Sequence, residues 1–452
     1  MNGSFLQQLE KWLLPGVLVK RWALVLIIGL IFLFLGINFA IPATLTGHVL
    51  TAAQKVTLGP EHYTLRSIVF LTLGVPITLF AAVKLYRAFI SSMVRVSGPS
   101  ASQWIGRMYE EQRLSKGPRI VAIGGGTGLP VLLRGLKSHT SNITAVVTVA
   151  DDGGSSGRLR RELGVIPPGD FRNCLVALAD TESLMNEVMQ YRFSDGEELR
   201  DHAFGNLLLA TLTKVTGDFA LALEEVTKLL RVRGRILPST LTNVTLFART
   251  VDGDLIQGEA EIPHAKAPIH MVSLEPPKAK AYPPAVQAIA EADMVLLGPG
   301  SLYTSVMPNL LVSGIADSVR SSKAIKVYIC NVVMQPGETD GYSVEDHYRT
   351  IARLVGPGLV DYILVNDKPI SVRQDGFPIR PVPLRGEDMP GVTIVRDTIV
   401  DPSFPTRHES ARLAASLIQL RRSKSRAKQA QRAAGASTAQ AIGSAGLHRH
   451  QG

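Results

Sequence analysis

Two groups of glycines and carboxylates carry most of the chemistry open to this chain. The first is Ile120-Val-Ala-Ile-Gly-Gly-Gly-Thr-Gly128, a short apolar run that ends in Gly124, Gly125, Gly126, Thr127 and Gly128. Glycines packed after a strand let the backbone turn tightly and present unpaired N–H groups at a helix start, where a phosphate can sit. The second is Asp151-Asp-Gly-Gly-Ser-Ser-Gly-Arg158, which ends the apolar run 143–149 in two carboxylates. Acid and glycine loops then lie side by side at the C-terminal edge of a parallel sheet, where ligands of such folds bind. The expected guest is an anion, and the arrangement suits a nucleotide.

Each residue also has a plainer use. Glycines spaced as Gly124-x-Gly126-x-Gly128 depart from the dinucleotide fingerprint, because Leu129 occupies its last place, and glycines also serve to pack a helix on a sheet. Asp151 and Asp152 suit ribose hydroxyls, a divalent cation or general-base work, while Asp-Asp-Gly-Gly is equally a good turn. A ligand contact is expected for at least one of them. Ser155, Ser156 and Arg158 offer hydroxyls and a guanidinium fork to a diphosphate, or else a helix cap and a solvated face. In Pro167-Pro-Gly-Asp-Phe-Arg-Asn173, Asp170 is an obvious N-cap, and Arg172 and Asn173 lie one turn further in, facing whatever fills the loop.

A second glycine and hydroxyl nest follows at Gly298-Pro-Gly-Ser-Leu-Tyr-Thr-Ser305, through Gly298, Gly300 and Ser301. Two such nests on one sheet edge are what a diphosphate substituted at both ends would use. Asn206, in Phe204-Gly-Asn at an apolar helix start, can read a base or sugar or act as a buried cap. Arg407-His408 can reach a phosphate or can open a solvated helix. No His-Glu-x-x-His or Gly-x-x-x-x-Gly-Lys-[Ser/Thr] pattern occurs, which sets aside zinc-protease and P-loop ATPase readings.

Positioning these residues calls for alternating strands and helices. Strand-like apolar runs begin at Ile120 and Ile143 and recur over 294–297, 325–329 and 362–365, with helical patterns over 129–136, 207–213 and 219–230 between them. The expected fold is α/β, a Rossmann-like doubly wound parallel sheet. Between Arg235 and Ser273 the period becomes strand-like, with a turn at Asp252-Gly253, so a β-rich insertion is expected to cap the core.

Ahead of that domain, residues 1–96 read as a membrane hairpin with spans at about 22–42 and 67–87, long enough to cross about 30 Å of hydrocarbon. The second run is interrupted by Gly74 and Pro76 and reaches full length only if Lys84 and Arg87 snorkel. Lys11, Lys20 and Arg21 before the first span, and Lys84, Arg87, Arg95 and Arg107 after the second, place both ends in the cytoplasm, with a short outer loop over 44–66. No small-residue cleavage site favours a signal peptide instead. Residues 97–117 read as a linker, 118–420 as the ligand-binding domain, and 421–452 as a disordered basic tail.

The net charge of +10 is carried by the ends: residues 1–117 and 421–452 each hold +7, which leaves −4 for 118–420. Basicity outside the folded body fits anionic lipid better than duplex recognition, and nucleic acid is not an expected partner. Only Cys174 and Cys330 are present, too few for a disulfide scaffold or a thiolate metal site, so a reducing compartment is expected for the body.

Taken together, Gly124–Gly128, Val147–Leu159, Pro168–Leu175, Phe204–Leu207, Gly298–Ser305 and Cys330-Asn331 with Gln335–Asp340 resemble the YvcK branch of the CofD-like family over about residues 118–410. The resemblance implies a Rossmann-like fold and a cytoplasmic gluconeogenesis factor tied to cell shape and cell-wall synthesis, which binds a uridine-diphosphate sugar. It adds Asn331 to the ligand-binding set. The family's other branch, the 2-phospho-L-lactate transferases of deazaflavin cofactor synthesis, shares the opening glycines and the Asp pair. The continuation from Gly153 to Arg160 and the Pro168–Asn173 sequence set this chain apart from it.

Two functions follow as expectations. The first is a membrane-anchored regulator that senses a nucleotide sugar and reports it to envelope-synthesis proteins, with self-association into homo-oligomers an open option. The alternative is a phosphotransferase, with Asp151 and Asp170 as the catalytic candidates and Mg²⁺ clamped between them as the one cofactor in question.

Overall fold

The computed structural model describes residues 18–40, 63–97, 101–180, 184–368, 373–374, 377–378 and 380–425. Contacts divide the chain into two compact units, Met1–Glu110 and Glu111–Gly452.

In the second unit the apolar runs become β1 (Ile120–Gly124) and β2 (Ile143–Val147), buried at every position. Unbroken burial, rather than in-out alternation, is what strands covered on both faces require. The other strands are β3 (Arg235–Pro238), β4 (Thr245–Thr250), β5 (Leu255–Gln257), β6 (Ile269–Glu275), β7 (Met294–Leu297), β8 (Ile325–Ile329), β9 (Tyr362–Asn366), β10 (Arg373–Gln374), β11 (Phe377–Pro378) and β12 (Thr393–Asp397). Seven of them make one parallel sheet in the order β12-β9-β8-β7-β1-β2-β3, flanked by helices. This is the expected Rossmann-like α/β architecture. The chain winds outward from β1 to β3, returns to lay β7 beside β1, and winds outward again, so the topological switch falls between β1 and β7. Ligands of open α/β sheets bind at such a point.

Helix Gly128–Leu136 shows how the sequence seats itself on this sheet. Leu129, Leu132, Leu133 and Leu136 are all buried, and their 3-1-3 spacing forms one helical stripe. The β-rich insertion is present as a three-stranded antiparallel sheet ordered β5-β4-β6, with Gly253 at φ +94° in the expected turn. Its expected start at Arg235 is corrected: β3 belongs to the main sheet, paired with β2, because Ile236 and Pro238 are buried there.

Two further points differ from expectation. β12 closes the main sheet beside β9, although Thr393-Ile-Val-Arg-Asp397 carries too little apolar character to stand out. The basic tail does not begin at Arg421: the last helix runs over 410–425, Arg421 approaches Asp293 at 3.6 Å, and Lys424 lies 4.9 Å from the centre of the Tyr362 ring. The rest of the expected tail, 426–452, lies outside the described residues.

The first unit pairs helices Leu18–Ala40 and Tyr63–Ser97. Glycines set their approach: a Cβ on Gly74 would lie 2.8 Å from the Leu33 nitrogen, and Ser67 Oγ donates to Gly36 O at 2.9 Å. Of the two expected spans, one meets the length and apolarity needed to cross a membrane, Ser67–Ala88 over 22 residues. The apolar part of the other, Arg21–Ile37, is shorter and bounded by Arg21 and Asn38, so the two-span expectation is corrected to one candidate among the described residues. Lys11 and residues 44–62 of the expected outer loop lie outside the described residues.

Candidate functional site

Both glycine loops meet at the switch point. Gly126 adopts φ +61°, a left-handed turn at the end of β1 that favours glycine. Its N–H donates to Asp170 Oδ2 at 2.7 Å. A Cβ on Gly125 would lie 2.6 Å from the same carboxylate oxygen, and one on Gly128 would overlap the Pro299 carbonyl. Only glycine lets the two loops and Asp170 approach so closely. Asn309, buried, ties them together through Nδ2, which donates to Gly124 O at 3.1 Å and Ser305 O at 2.8 Å.

A cavity of about 400 Å³ opens there, lined by Gly126, Thr127, Gly128, Gly300, Ser301, Asn331 and Arg407 of the expected set. The first amides of helix Gly128–Leu136 have no partner within their own helix and carry its positive dipole end. Asn331 is oriented by a bond from its Nδ2 to Gln335 Oε1 at 2.7 Å, and Arg407 is exposed at the rim. Gly124 and Gly298 sit beneath the cavity, at the buried ends of β1 and β7, with a Cβ on Gly124 lying 3.8 Å from Gly298 Cα. Gly125 is likewise buried below it.

The other expected residues gather beyond β2. Asp151 accepts the Gly153 N–H at 3.0 Å in a tight turn. Asp152 accepts the Ala260 N–H at 3.0 Å and so pins the insertion to the sheet edge. Ser156 Oγ accepts the Gly169 N–H at 3.0 Å. Ser155 Oγ bonds His202 Nδ1 at 2.9 Å and accepts from Asn206 Nδ2 at 3.0 Å. Arg158 donates to Arg200 O, and Arg172 donates to Asn173 Oδ1 at 2.9 Å. Of the plainer uses weighed from the sequence only the Asp151 turn is seen: the helices over Gly154–Leu163 and Gly169–Leu178 begin after Gly153 and Pro168 with no side-chain cap bond, so the serines and Asp170 do not serve as the expected caps and bond across the fold instead. Arg172 nonetheless keeps Nε and NH1, and Asn206 keeps Oδ1, buried without a protein partner.

Carboxylates crowd the space between the two groups. Burial first, then the negative charge of Asp151, pushes Asp170 up to about 7. Burial and the charges of Asp151, Asp170, Asp152 and Glu338 push Glu259 up to about 8. Burial also raises Asp151 and Glu338, the latter against the opposing bond from Ser301 Oγ. Protonation of Asp170 and Glu259 near neutral pH relieves part of this repulsion, beside the positive charges of Arg172 and Arg160. His408, buried at the cavity wall with Nε2 3.2 Å from Cys330 O, is pushed down to about 4 by its burial.

Oxygen donors suit Mg²⁺ in kind; among the described residues no group of three or more His, Cys, Asp or Glu is arranged to hold a metal ion, so Mg²⁺ here would draw on one or two carboxylates together with the phosphates of a ligand. Asp151, Asp152 and Asp170 each already accept a backbone N–H.

Glu259, Glu338, Thr304, Ser305 and Gln335 also line the cavity and were not singled out from the sequence. Glu338 lies inside the quoted Gln335–Asp340 motif and was within reach. Glu259 follows a strand of the insertion with no motif around it, and only the tertiary fold brings it to the glycine loops.

Comparison with known proteins matches residues 120–376 to the family described as 2-phospho-L-lactate transferase CofD. The gluconeogenesis factor of Bacillus subtilis (strain 168) is 46% identical over 310 residues, 67% of this chain and 98% of that protein. The gluconeogenesis factor of Halalkalibacterium halodurans is 52% identical over 256 residues, 57% of this chain and 80% of that protein. A Nostoc sp. relative is 45% identical over 385 residues, covering 82% of this chain and 83% of its own length. A crystal structure of a Bacillus halodurans protein superposes with a TM-score of 0.64 at 46% identity, covering 67% of this chain and all of that one. The chain therefore belongs to the CofD family, in its YvcK-type branch of gluconeogenesis factors.

Proposed function

We propose that the second unit binds a nucleotide sugar of the UDP class and acts as a regulator of cell shape, cell-wall synthesis and growth on gluconeogenic carbon sources. The observation that carries this reading is the junction of both glycine loops on one cavity at the β1/β7 switch, with Arg407 at its rim. Helix-start amides and a guanidinium are the donors that a pyrophosphate needs. Asn331, Ser301, Glu338 and the neutral form of Glu259 supply hydrogen bonds for the sugar. The free polar atoms of Arg172 and Asn206 leave that region open to a further ligand contact. Calorimetric titration of the full chain with UDP-sugars tests the reading: binding below millimolar concentration is expected, and no heat at millimolar ligand sinks it.

Attachment to a membrane, with the second unit in the cytoplasm, belongs to the same proposal. It is supported by Ser67–Ala88 and by outward-facing Leu24, Phe34, Leu65, Leu79 and Phe80, each at least half exposed within the first unit. Envelope-synthesis proteins are its expected partners. Fractionation of cells checks the attachment, and recovery of the full chain wholly in the soluble fraction counts against it.

A second reading is favoured by the matched family and by Asp170, held near neutrality behind the phosphate loop: transfer of a phosphoester-bearing group from a nucleotide donor. It requires release of nucleoside monophosphate on incubation with donor, and loss of that release in Asp170→Asn.

A further inference from the structure

The cavity provides for phosphates and a sugar, and among the described residues its lining contains no Phe, Tyr or Trp to hold a base. A nucleobase is held chiefly by stacking on a flat ring, and that ring has to stand within reach of the phosphate anchors.

Among the residues whose side chains are described, one meets the requirement: Phe404, 52% exposed, is the only exposed phenylalanine of that set in the second unit. Arg407, which lines the cavity, lies with its guanidinium carbon 5.9 Å from the centre of the Phe404 ring. The segment between them is tightly held: the Arg407 N–H donates to Phe404 O at 2.9 Å, the Asp401 N–H to Arg407 O at 2.9 Å, and Asp401 Oδ1 accepts the N–H groups of Ser403 and Phe404 at 2.8 and 3.3 Å. The next residue, His408, is buried and anchored to Cys330 O. An apolar ring is thus kept in water at a fixed distance from a phosphate-binding guanidinium, although turning it inward would have removed apolar surface from solvent.

We propose that Phe404 is the platform on which the base of a nucleoside diphosphate stacks when its diphosphate occupies the cavity beside Arg407. The proposal rests on the nucleotide-sugar reading and adds the group that separates a nucleotide from a bare phosphate. Stacking accepts any base, so Phe404 sets affinity for nucleosides as a class, and choice among bases falls to other contacts.

Titration of the full chain with UDP and with inorganic pyrophosphate tests this. Phe404→Ala is expected to weaken UDP by about tenfold or more while leaving pyrophosphate unchanged, the magnitude following from the loss of one stacked ring. Phe404→Trp is expected to keep UDP affinity, with indole emission that falls as UDP binds. Equal UDP affinity in Phe404→Ala and wild type overturns the platform while the diphosphate site stands. Parallel loss of pyrophosphate also overturns it, because the ring would then be supporting the loop. If the wild type binds neither probe, the nucleotide reading and the platform fail together.

Discussion

Asp170 Oδ2 accepts the N–H of Gly126 at 2.7 Å, so the central amide of the glycine loop is bound by the protein's own carboxylate. The loop is held in its turn from behind, and under the proposed reading the amides that follow and Arg407 are the donors left for a phosphate. Because the folded pKa of Asp170, about 7, lies above its unfolded value of 3.8, the group favours folding below pH 4, and that contribution is lost as pH rises through 7. Each unit of such a shift corresponds to about 1.4 kcal/mol. Asp170→Asn retains an acceptor for Gly126 and removes the ionisation. Urea denaturation at pH 5 and pH 8 is expected to show the variant gaining on the wild type by a few kcal/mol at the higher pH; a constant difference between the two contradicts the assignment.

Gly128 and Pro299 are the point where the two loops touch, and a methyl group on Gly128 collides with the Pro299 carbonyl. Gly128→Ala is expected to cost about 1–3 kcal/mol of stability through overpacking and to weaken UDP-sugar binding at least tenfold. Gly154→Ala is the control for backbone effects, because nothing lies within 4 Å of a Cβ there, although φ is +45°. Comparable loss of UDP-sugar binding in both variants would mean that loop contact is not the cause.

Asp152 is read as a structural clamp on the insertion. Asp152→Ala leaves the Ala260 N–H without its acceptor and is expected to lower stability by about 1–3 kcal/mol. Protease cleavage within 245–275 should then accelerate more than cleavage elsewhere. Since Glu259 is next to that contact, UDP-sugar affinity is expected to fall as a consequence; loss of affinity with the insertion still protected would instead make Asp152 a direct ligand contact.

Arg407 is the cationic side chain at the cavity rim, and its two roles separate by substitution. Arg407→Lys retains charge but loses the planar fork, and Arg407→Gln loses both. Binding of inorganic pyrophosphate is expected to fall in the order wild type, Lys, Gln, with the Gln variant weaker by about tenfold or more, as charge-assisted hydrogen bonds are worth about 1.5–3 kcal/mol. Pyrophosphate binding that is indifferent to both variants removes Arg407 from the anion site.

Local patterning determined much of this protein. Unbroken apolar runs dictated buried parallel strands, the leucine spacing from Leu129 to Leu136 dictated a helix seated on them, and clustered glycines marked both turns at the sheet edge, because these features depend on neighbours a few residues apart. Tertiary structure alone decided what those loops face. Whether Ser155 and Ser156 turn to a ligand or to His202 and Gly169, whether Asp152 reads ribose or clamps an insertion, and whether Glu259 joins the site all hinge on contacts between positions many residues apart. Burial and mutual repulsion of carboxylates likewise exist only once the chain is packed, so the near-neutral Asp170 and Glu259 carry no mark in the sequence.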